Sequence, residues 1–491
     1  MDTLHQLAHA VLLPGFAGTT APDWLRGRIA EGLGGVVFFG RNIVDDEQVG
    51  ALSAALRAER DDVVIGIDEE GGDVTRLDAA VGSRLPGGLA LAAAGDLTLT
   101  AEVGLALGAR LARCGVTLNL APCADLSLTQ DDPIIGVRAF GSDPSAAAAH
   151  VAATVRGMQR SGVAACAKHF PGHGAATADS HLTLPVLPRT PEELACTELV
   201  PFRAAIDAGV RAIMSGHLVV PAWGPEPATT NEIAIGKVLR GDLGFTGTVV
   251  TDAIEMGAVA GTLGDAAGLR EAAVRALAAG ADALCVGGDT ADAEAVTALV
   301  ERIVQAVRDG VLTEERLAEA AARTRALGAP ASAITGVRDE LDLGLAVARK
   351  ALRATEIPAL GSAPLVVDVE VAPTIAAGPV AWGLAPHLAE LLPGAVPVAP
   401  AELGDLVDLA SKVVIVTTRD AHRHPVAREL VRRLVEASAI VVHVETGVPG
   451  PGLGAAARID THSGSWSSLR AAAELLAFRD GRLRPLAAAS R

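Results

Sequence analysis

The sequence predicts a (β/α)8 barrel of the TIM type followed by a smaller α/β domain, and three observations carry that prediction. Eight strand-length apolar runs alternate with helical stretches over about the first 330 of 491 residues, which suits eight βα units in number and size. Polar residues sit at the ends of successive runs: Asp68-Glu69, Asn119, Lys168-His169, Ser215-Gly216-His217 and Asp252. In a barrel those ends share one rim, where loops from different strands meet. A second alternation begins at Leu365 and suggests an open α/β sheet of modest size. A doubly wound sheet has the same local alternation as a barrel, so the count of units and the polar strand ends carry the assignment.

The strands are expected at His9–Leu13, Gly35–Phe38, Val63–Ile67, Val116–Leu120, Ala164–Ala167, Ala212–Met214, Thr248–Thr251 and Ala283–Val286. Each is a short apolar run. Stretches rich in Ala, Leu and charged residues predict helices at 45–59, 99–113, 144–161, 192–208, 232–240 and 267–279, with 297–309 after the last strand. A helix over 314–327 gives way to GAPASAITG, then a helix at about 342–355, and Pro358 to Pro364 punctuates again. The barrel is therefore expected over 1–330, a linker over 331–362 and the second domain over 363–491. In the latter, LVVDVE, KVVIVTT and AIVVHVET read as strands, with helices near 384–391 and 424–436 and a last helix after the Gly/Ser/Trp segment 463–467.

A chain this long exceeds one ordinary core, and half its residues are hydrophobic, enough to fill two. Lys+Arg 41 against Asp+Glu 58 gives a formal charge of −17, with no long run of like charge. That balance argues against nucleic acid and against an anionic membrane as partners. Eight Phe, four Trp and no Tyr argue against a sugar-binding module of stacked rings. The cysteines 114, 123, 166, 196 and 285 have no paired spacing, and most lie in or beside apolar stretches; buried reduced thiols fit, which favours a reducing compartment. The N-terminus MDTLHQLAHAVLLPGFAG lacks the basic start of a signal peptide, and no apolar run makes a convincing membrane span. A soluble cytoplasmic protein is the expectation, and its oligomeric state is not legible.

Chemistry concentrates in residues 164–185, AACAKHFPGHGAATADSHLTLP. Lys168, His169, His173, Asp179 and His181 are costly to order together unless they meet something charged or reactive. Asp179 accepting from one nitrogen of His181 would fix its tautomer and leave the other nitrogen for proton transfer. The plainer reading is a polar loop held by an Asp–His contact. Asp252 ends the run GTVV: it is either a nucleophilic carboxylate or an N-cap, with Glu255 as capping-box partner. Asp68-Glu69-Glu70-Gly71-Gly72 puts three acids on a turn, and Asp68 suits the binding of two sugar hydroxyls, with Arg76 able to fold back on the acids. Arg138, flanked by apolar residues, is expected to pair with an acid or to bind ligand. His217 is a ligand contact or a satisfied rim histidine. Glycine-rich stretches such as GLGG at 32–35 lack phosphate-binding spacing, so no cofactor is expected.

With these residues in view, the chain resembles the glycoside hydrolase family 3 β-N-acetylglucosaminidases of the two-domain bacterial type. The resemblance runs from about Leu12 to Leu327 through GGVVFFGRNI, IDEEGGDVTRL, NLAP, DDPIIGVRAFG, KHFPGHG, DSH and TGTVVTDAIEM. It implies Asp252 as nucleophile, His181 as general acid/base and Asp179 as its orienting partner. Asp68, Lys168 and His169 would bind hydroxyls of the N-acetylglucosamine ring, with Arg138 close by. It also implies a retaining mechanism, a small saccharide from the cell wall or chitin as substrate, and a C-terminal α/β sandwich. Some related enzymes pass the sugar to phosphate, so a phosphorylase with the same residues is one alternative. Many members carry a second Asp after the nucleophile where this chain has Ala253, which implies tuning of rate or specificity. Two further alternatives come from other classes. One is a metal-dependent hydrolase using His169, His173, Asp179, His181 and His217. The other is a non-catalytic sugar-binding or scaffold protein.

Overall fold

A computed structural model describes residues 3–129, 132, 134–174, 184–261, 265–287, 291–330, 334–405 and 409–478. Asp179 and His181 lie outside the described residues. The first eight strands are β1 (Leu12–Pro14), β2 (Gly35–Phe38), β3 (Val64–Ile67), β4 (Leu118–Asn119), β5 (Ala164–Phe170), β6 (Ala212–Ser215), β7 (Thr248–Thr251) and β8 (Leu284–Val286). Strands β2 to β7 pair in parallel in chain order, and β1 pairs in parallel with β8. The ring closes through Thr251 N–H to the Ala283 carbonyl at 2.9 Å and Gly34 N–H to the His9 carbonyl at 2.9 Å. The predicted barrel is the observed fold.

The strands are continuous apolar runs because both of their faces are buried. Leu13, Val37, Val64, Leu118, Ala164, Cys166, Ala212, Met214, Val250 and Cys285 fill the barrel interior. Their neighbours Leu12, Val36, Phe38, Ile65, Ile67, Ala165, Ile213, Val249 and Leu284 face outward under the helices. Asp and Thr residues punctuate the helix starts: Asp45, Asp96, Asp143, Thr190, Asp265, Asp292 and Thr313 each accept a backbone N–H in the first turn.

Three expectations need correction. Residues Thr3–Ala10 are helical, with Leu4 and Leu7 packed on the core, so the first strand begins at Leu12 instead of His9. The stretch 192–208 is two helices, Pro191–Cys196 and Leu199–Asp207, the second with Pro201 in its first turn, where a missing N–H costs nothing. The helix expected to reach 355 spans Glu340–Ala351, after which Arg353–Ala354 forms a strand, β9.

The second sheet adds β10 (Leu365–Asp368), β11 (Val396–Pro397), β12 (Val413–Thr418), β13 (Ile440–Glu445) and β14 (Ala457–Asp460), in the order β11-β10-β12-β13-β14-β9 with β9 antiparallel. Val366, Ile415, Val442 and Ile459 pack towards the helices Ala385–Leu391 and Trp466–Ala477. Val367, Val414, Val416 and Val441 pack towards Pro425–Ala437 on the other face. This layered α/β unit is docked on the turn that follows β3. Arg419 pairs with Asp73, Gly464 N–H donates to Asp73 Oδ1 at 3.0 Å, Ala381 N–H to the Ala79 carbonyl at 2.8 Å, and Trp466 N–H to the Ser83 carbonyl at 2.9 Å. Helix Glu340–Ala351 packs against Gly88–Ala94 of the barrel and Trp466–Ala477 of the second unit. A Cβ at Gly344 would stand 2.0 Å from the Arg84 carbonyl, so that approach requires glycine. Among the described residues no helix is long and apolar enough to cross a membrane.

Candidate active site

The C-terminal ends of the barrel strands surround a cavity of about 500 Å3. Asp68 follows β3, Lys168 and His169 belong to β5, Asp252 follows β7, and all four line the cavity together with Arg76 and Arg138. The structure thus brings together six of the nine site residues expected from sequence. His217 stands outside the lining, and Asp179 and His181 are not described.

The floor is an alternating chain of charges. Lys168 Nζ lies 2.6 Å from Asp68 Oδ1 and 2.7 Å from Glu70 Oε1. Glu70 in turn receives Arg138 Nη2 at 2.7 Å and Nε at 3.0 Å, a bidentate fork. Arg76 Nη2 approaches Asp68 Oδ2 at 3.7 Å. Lys168 is 2% exposed. Burial alone would raise the Glu70 pKa, but the charges of Arg138 and Lys168 hold it well below the ordinary carboxylate range. Burial alone would lower that of Lys168, and Asp68 and Glu70 instead hold it above the usual value. Both groups are therefore ionised, and Glu70 is a fixed acceptor and not a proton donor.

The third acid of the turn does something else. Glu69 is buried away from the cavity, and its Oε2 accepts the N–H groups of Arg76 at 2.8 Å and Leu77 at 2.9 Å. Burial pushes its pKa up to about 7. Asn119, at the end of β4, accepts the Glu69 N–H at 3.0 Å and donates to its carbonyl at 2.8 Å. Gly72 has φ +63°, and a Cβ there would meet Gly87 backbone at 2.6 Å, so the turn needs glycine. The like charges of the sequence thus separate into a cavity group, a paired group and a backbone clamp.

His169 Nδ1 bonds Asp125 Oδ2 at 2.7 Å, which turns its other ring nitrogen free for the cavity. Asp125 also accepts the backbone N–H groups of His169 at 3.1 Å and His173 at 2.7 Å. Burial would raise its pKa, but the His169 charge and hydrogen bond with the His173 contacts pull it down to about 2. His173 lines the cavity at 3% exposure, and burial lowers its pKa to about 4.

Asp252 is held at its backbone by its N–H to the Ser215 carbonyl at 3.0 Å, and its Oδ1 accepts the Ala253 N–H at 2.8 Å. The N-cap reading does not hold: the next helix, Gly257–Ala260, starts beyond Met256 with no side-chain cap. Glu255 is likewise no capping-box partner; it lines the cavity and accepts the Gly287 N–H at 3.1 Å. His217 is fully buried, with Nδ1 2.8 Å from Thr229 Oγ1 and Nε2 2.9 Å from the Ala253 carbonyl. It braces the peptide beside Asp252. Among the described residues no group of three His, Cys, Asp or Glu is arranged to hold a metal ion. Cys114, Cys123, Cys166 and Cys285 are buried thiols, whereas Cys196 is exposed.

Sequence reasoning gave no site role to Glu70, Asp125 or Glu255, nor to Ile375 and Ala376, which reach the cavity from the second unit, and it named His173 only among the ligands of the metal-dependent alternative. Asp125 had a weak signal, an acid just past NLAP at the end of β4. Ile375 had none, since nothing local marks a residue about 300 positions from its partners.

Strand ends that converge ionised acids, buried cations and a carboxylate-oriented imidazole on one enclosed space define a barrel enzyme for a polar, hydroxyl-rich substrate. Residues 23–327 match the glycosyl hydrolase family 3 N terminal domain, and the chain belongs to that family. A β-hexosaminidase of Pseudomonas aeruginosa (strain LESB58) is 40% identical over 272 residues, 55% of this chain and 80% of its own length. The structure of a glycoside hydrolase family 3 β-N-acetylglucosaminidase from Paenibacillus sp. str. FPU-7 superimposes with a TM-score of 0.87 at 30% identity, covering 97% of both chains. NagZ from Neisseria gonorrhoeae in complex with N-trifluoroacetyl-D-glucosamine is 29% identical with a TM-score of 0.52, over 65% of this chain and 98% of that one.

Proposed function

We propose that this chain is a retaining β-N-acetylhexosaminidase that removes β-linked N-acetylglucosamine from the non-reducing end of cell-wall-derived or chitin-type saccharides. One observation carries the reading: Asp252 shares a single enclosed cavity with the Asp68–Lys168–Glu70–Arg138 chain and with His169. A sugar ring held by Asp68, Lys168 and His169 through its hydroxyls presents C1 to the Asp252 carboxylate. The two closely similar proteins named β-hexosaminidase and β-N-acetylglucosaminidase support the choice of sugar.

In this mechanism His181, protonated and oriented by Asp179, donates its proton to the glycosidic oxygen while Asp252 attacks C1 from the opposite face. The C1–O bond to the leaving group breaks and an ester between C1 and Asp252 forms. His181 then takes a proton from water as that water attacks C1, which restores the carboxylate. The chain leaves the described residues at Gly174, one position beyond His173 in the cavity wall, so seven residues separate that wall from His181. Such a span reaches up to ~25 Å, ample to bring the imidazole over C1.

The test is release of aryl alcohol from an aryl β-N-acetylglucosaminide and from the matching β-glucoside, each with and without phosphate. Wild type is expected to prefer the N-acetylglucosaminide, and the product, free sugar or sugar 1-phosphate, identifies the acceptor. Asp252→Asn, folded as judged by circular dichroism, should lose ~10⁴-fold or more of kcat. Turnover near wild type in that variant removes the nucleophile assignment.

A further inference from the structure

We infer that the second unit supplies part of the substrate site: Ile375, on the turn Thr374–Gly378, is an apolar platform for the aglycone, the group beyond the scissile bond. The inference rests on the glycosidase reading above and deepens it.

Four observations meet at this turn. Ile375 and Ala376 line the same cavity as Asp68, Lys168 and Asp252, although the barrel supplies every other group discussed there. Ile375 is 57% exposed, among the most exposed large hydrophobic residues described, whereas the charged floor is buried. It therefore stands at the mouth of the cavity, on the path of whatever extends outward from a sugar seated on that floor. The turn is also fixed in place. Arg76 donates from Nη2 to the Ala376 carbonyl at 2.8 Å and from Nη1 to the Ala377 carbonyl at 2.9 Å. The Ala377 N–H returns to Thr374 Oγ1 at 3.2 Å, and the Gly378 N–H to the Thr374 carbonyl at 2.9 Å.

The same guanidinium reaches Asp68 at 3.7 Å, so one side chain joins the sugar-binding acid to the turn that carries Ile375. An exposed isoleucine held rigid by its neighbours' backbone has its ordering cost already met before ligand arrives. Its chemistry selects for an apolar face, such as an aromatic ring or the C–H face of a second pyranose, and offers nothing to a group as small as methanol. Because the partners of the turn lie on the loop after β3, the docking of the two units sets the position of this platform relative to C1.

The experiment compares kcat/KM on an aryl β-N-acetylglucosaminide, on the β-1,4-linked disaccharide of N-acetylglucosamine and on methyl β-N-acetylglucosaminide, for wild type, Ile375→Ala and Ile375→Asp. Ratios between substrates cancel any difference in the amount of folded enzyme. Loss of the platform should lower both the aryl-to-methyl and the disaccharide-to-methyl ratio about three- to tenfold, the effect of exposing some 50 Å2 of apolar contact. The loss should be at least as large for Ile375→Asp. Unchanged ratios in both variants overturn the inference while leaving the glycosidase reading intact. Equal losses on all three substrates also overturn it, since they place Ile375 against the sugar ring and not the aglycone. A wild-type protein inactive on all three overturns the functional reading, and the platform with it.

Discussion

Replacing Lys168 with Met tests whether the buried charge chain organises the sugar site or only the fold. The ammonium lies 2.6 Å from Asp68 and 2.7 Å from Glu70 at 2% exposure. At an effective dielectric of about 20, each contact is worth roughly 6 kcal/mol gross, most of it offset by desolvation. Removing one partner of a buried pair costs about 3–5 kcal/mol, and the lower end applies here because Glu70 retains the two-bond contact of Arg138. Asp68 keeps only the looser approach of Arg76 at 3.7 Å among the contacts described. Catalysis should suffer more than stability. The variant loses the Lys168 contact to a substrate hydroxyl and the fixed position of Asp68, two charge-assisted bonds of ~1.5–3 kcal/mol each, so kcat/KM should fall ~10²–10⁴-fold. The assay pairs kcat/KM on the aryl substrate with denaturant unfolding. The double variant Lys168→Met/Asp68→Asn, which removes the carboxylate that Lys168→Met strands, should regain stability without regaining activity. A Lys168→Met enzyme within threefold of wild-type kcat/KM refutes the argument, and so does recovery of activity in the double variant.

Two further outcomes are expected, one from the buried histidine and one from the proposed mechanism. His173 titrates at about 4 in the fold against an ordinary value of 6.5, so between those limits the unfolded chain binds the proton and the folded chain does not. Stability should therefore decline as pH falls from 6.5 towards 4, by up to roughly 3 kcal/mol from this group, and His173→Asn should flatten that slope in unfolding curves taken across the window; equal slopes for the two proteins count against a buried neutral imidazole. For His181→Ala, activity should drop ~10²–10⁴-fold on alkyl leaving groups and far less on aryl groups of low pKa, read as a steeper dependence of kcat/KM on leaving-group pKa. A uniform loss across the series speaks against its role as the acid.

The sequence disclosed what lies on a strand and at its end, because a strand buried on both faces must be apolar until it reaches the rim. Lys168 and Asp252 stood out on that ground as charges where an apolar run stops, although a helix N-cap was an equal reading of Asp252 until the structure showed no helix there to cap. The division of labour among Asp68, Glu69 and Glu70 was not legible. Adjacent side chains in a tight turn point apart, and which direction meets Asn119, Arg138 or Lys168 depends on residues some 50 to 100 positions away. Asp125 was missed for a related reason, since its partners His169 and His173 come from β5 and the turn beyond it, which the alternation places beside it only after the barrel closes. Glu255 was misread because the capping box it spells lacks a helix to cap: the segment crosses to Gly287 before helix begins. Short edge strands such as Arg353–Ala354 carry no periodicity at all.

The pattern of those partnerships bears on why an imidazole should carry the proton. Glu70 shares two cations, Asp125 is tied to His169, and Glu69 is spent on backbone N–H groups. Each of these acids is an acceptor by construction. A further carboxyl brought in as the proton donor would need its pKa raised by several units to be protonated near neutrality. A histidine paired with an aspartate begins near 6.5 and becomes cationic when it holds the proton, so it gains from the aspartate beside it. In the proposed mechanism the imidazolium therefore draws its stabilisation from Asp179, because the cavity acids Asp68, Glu70, Asp252 and Glu255 are matched in number by Arg41, Arg76, Arg138 and Lys168.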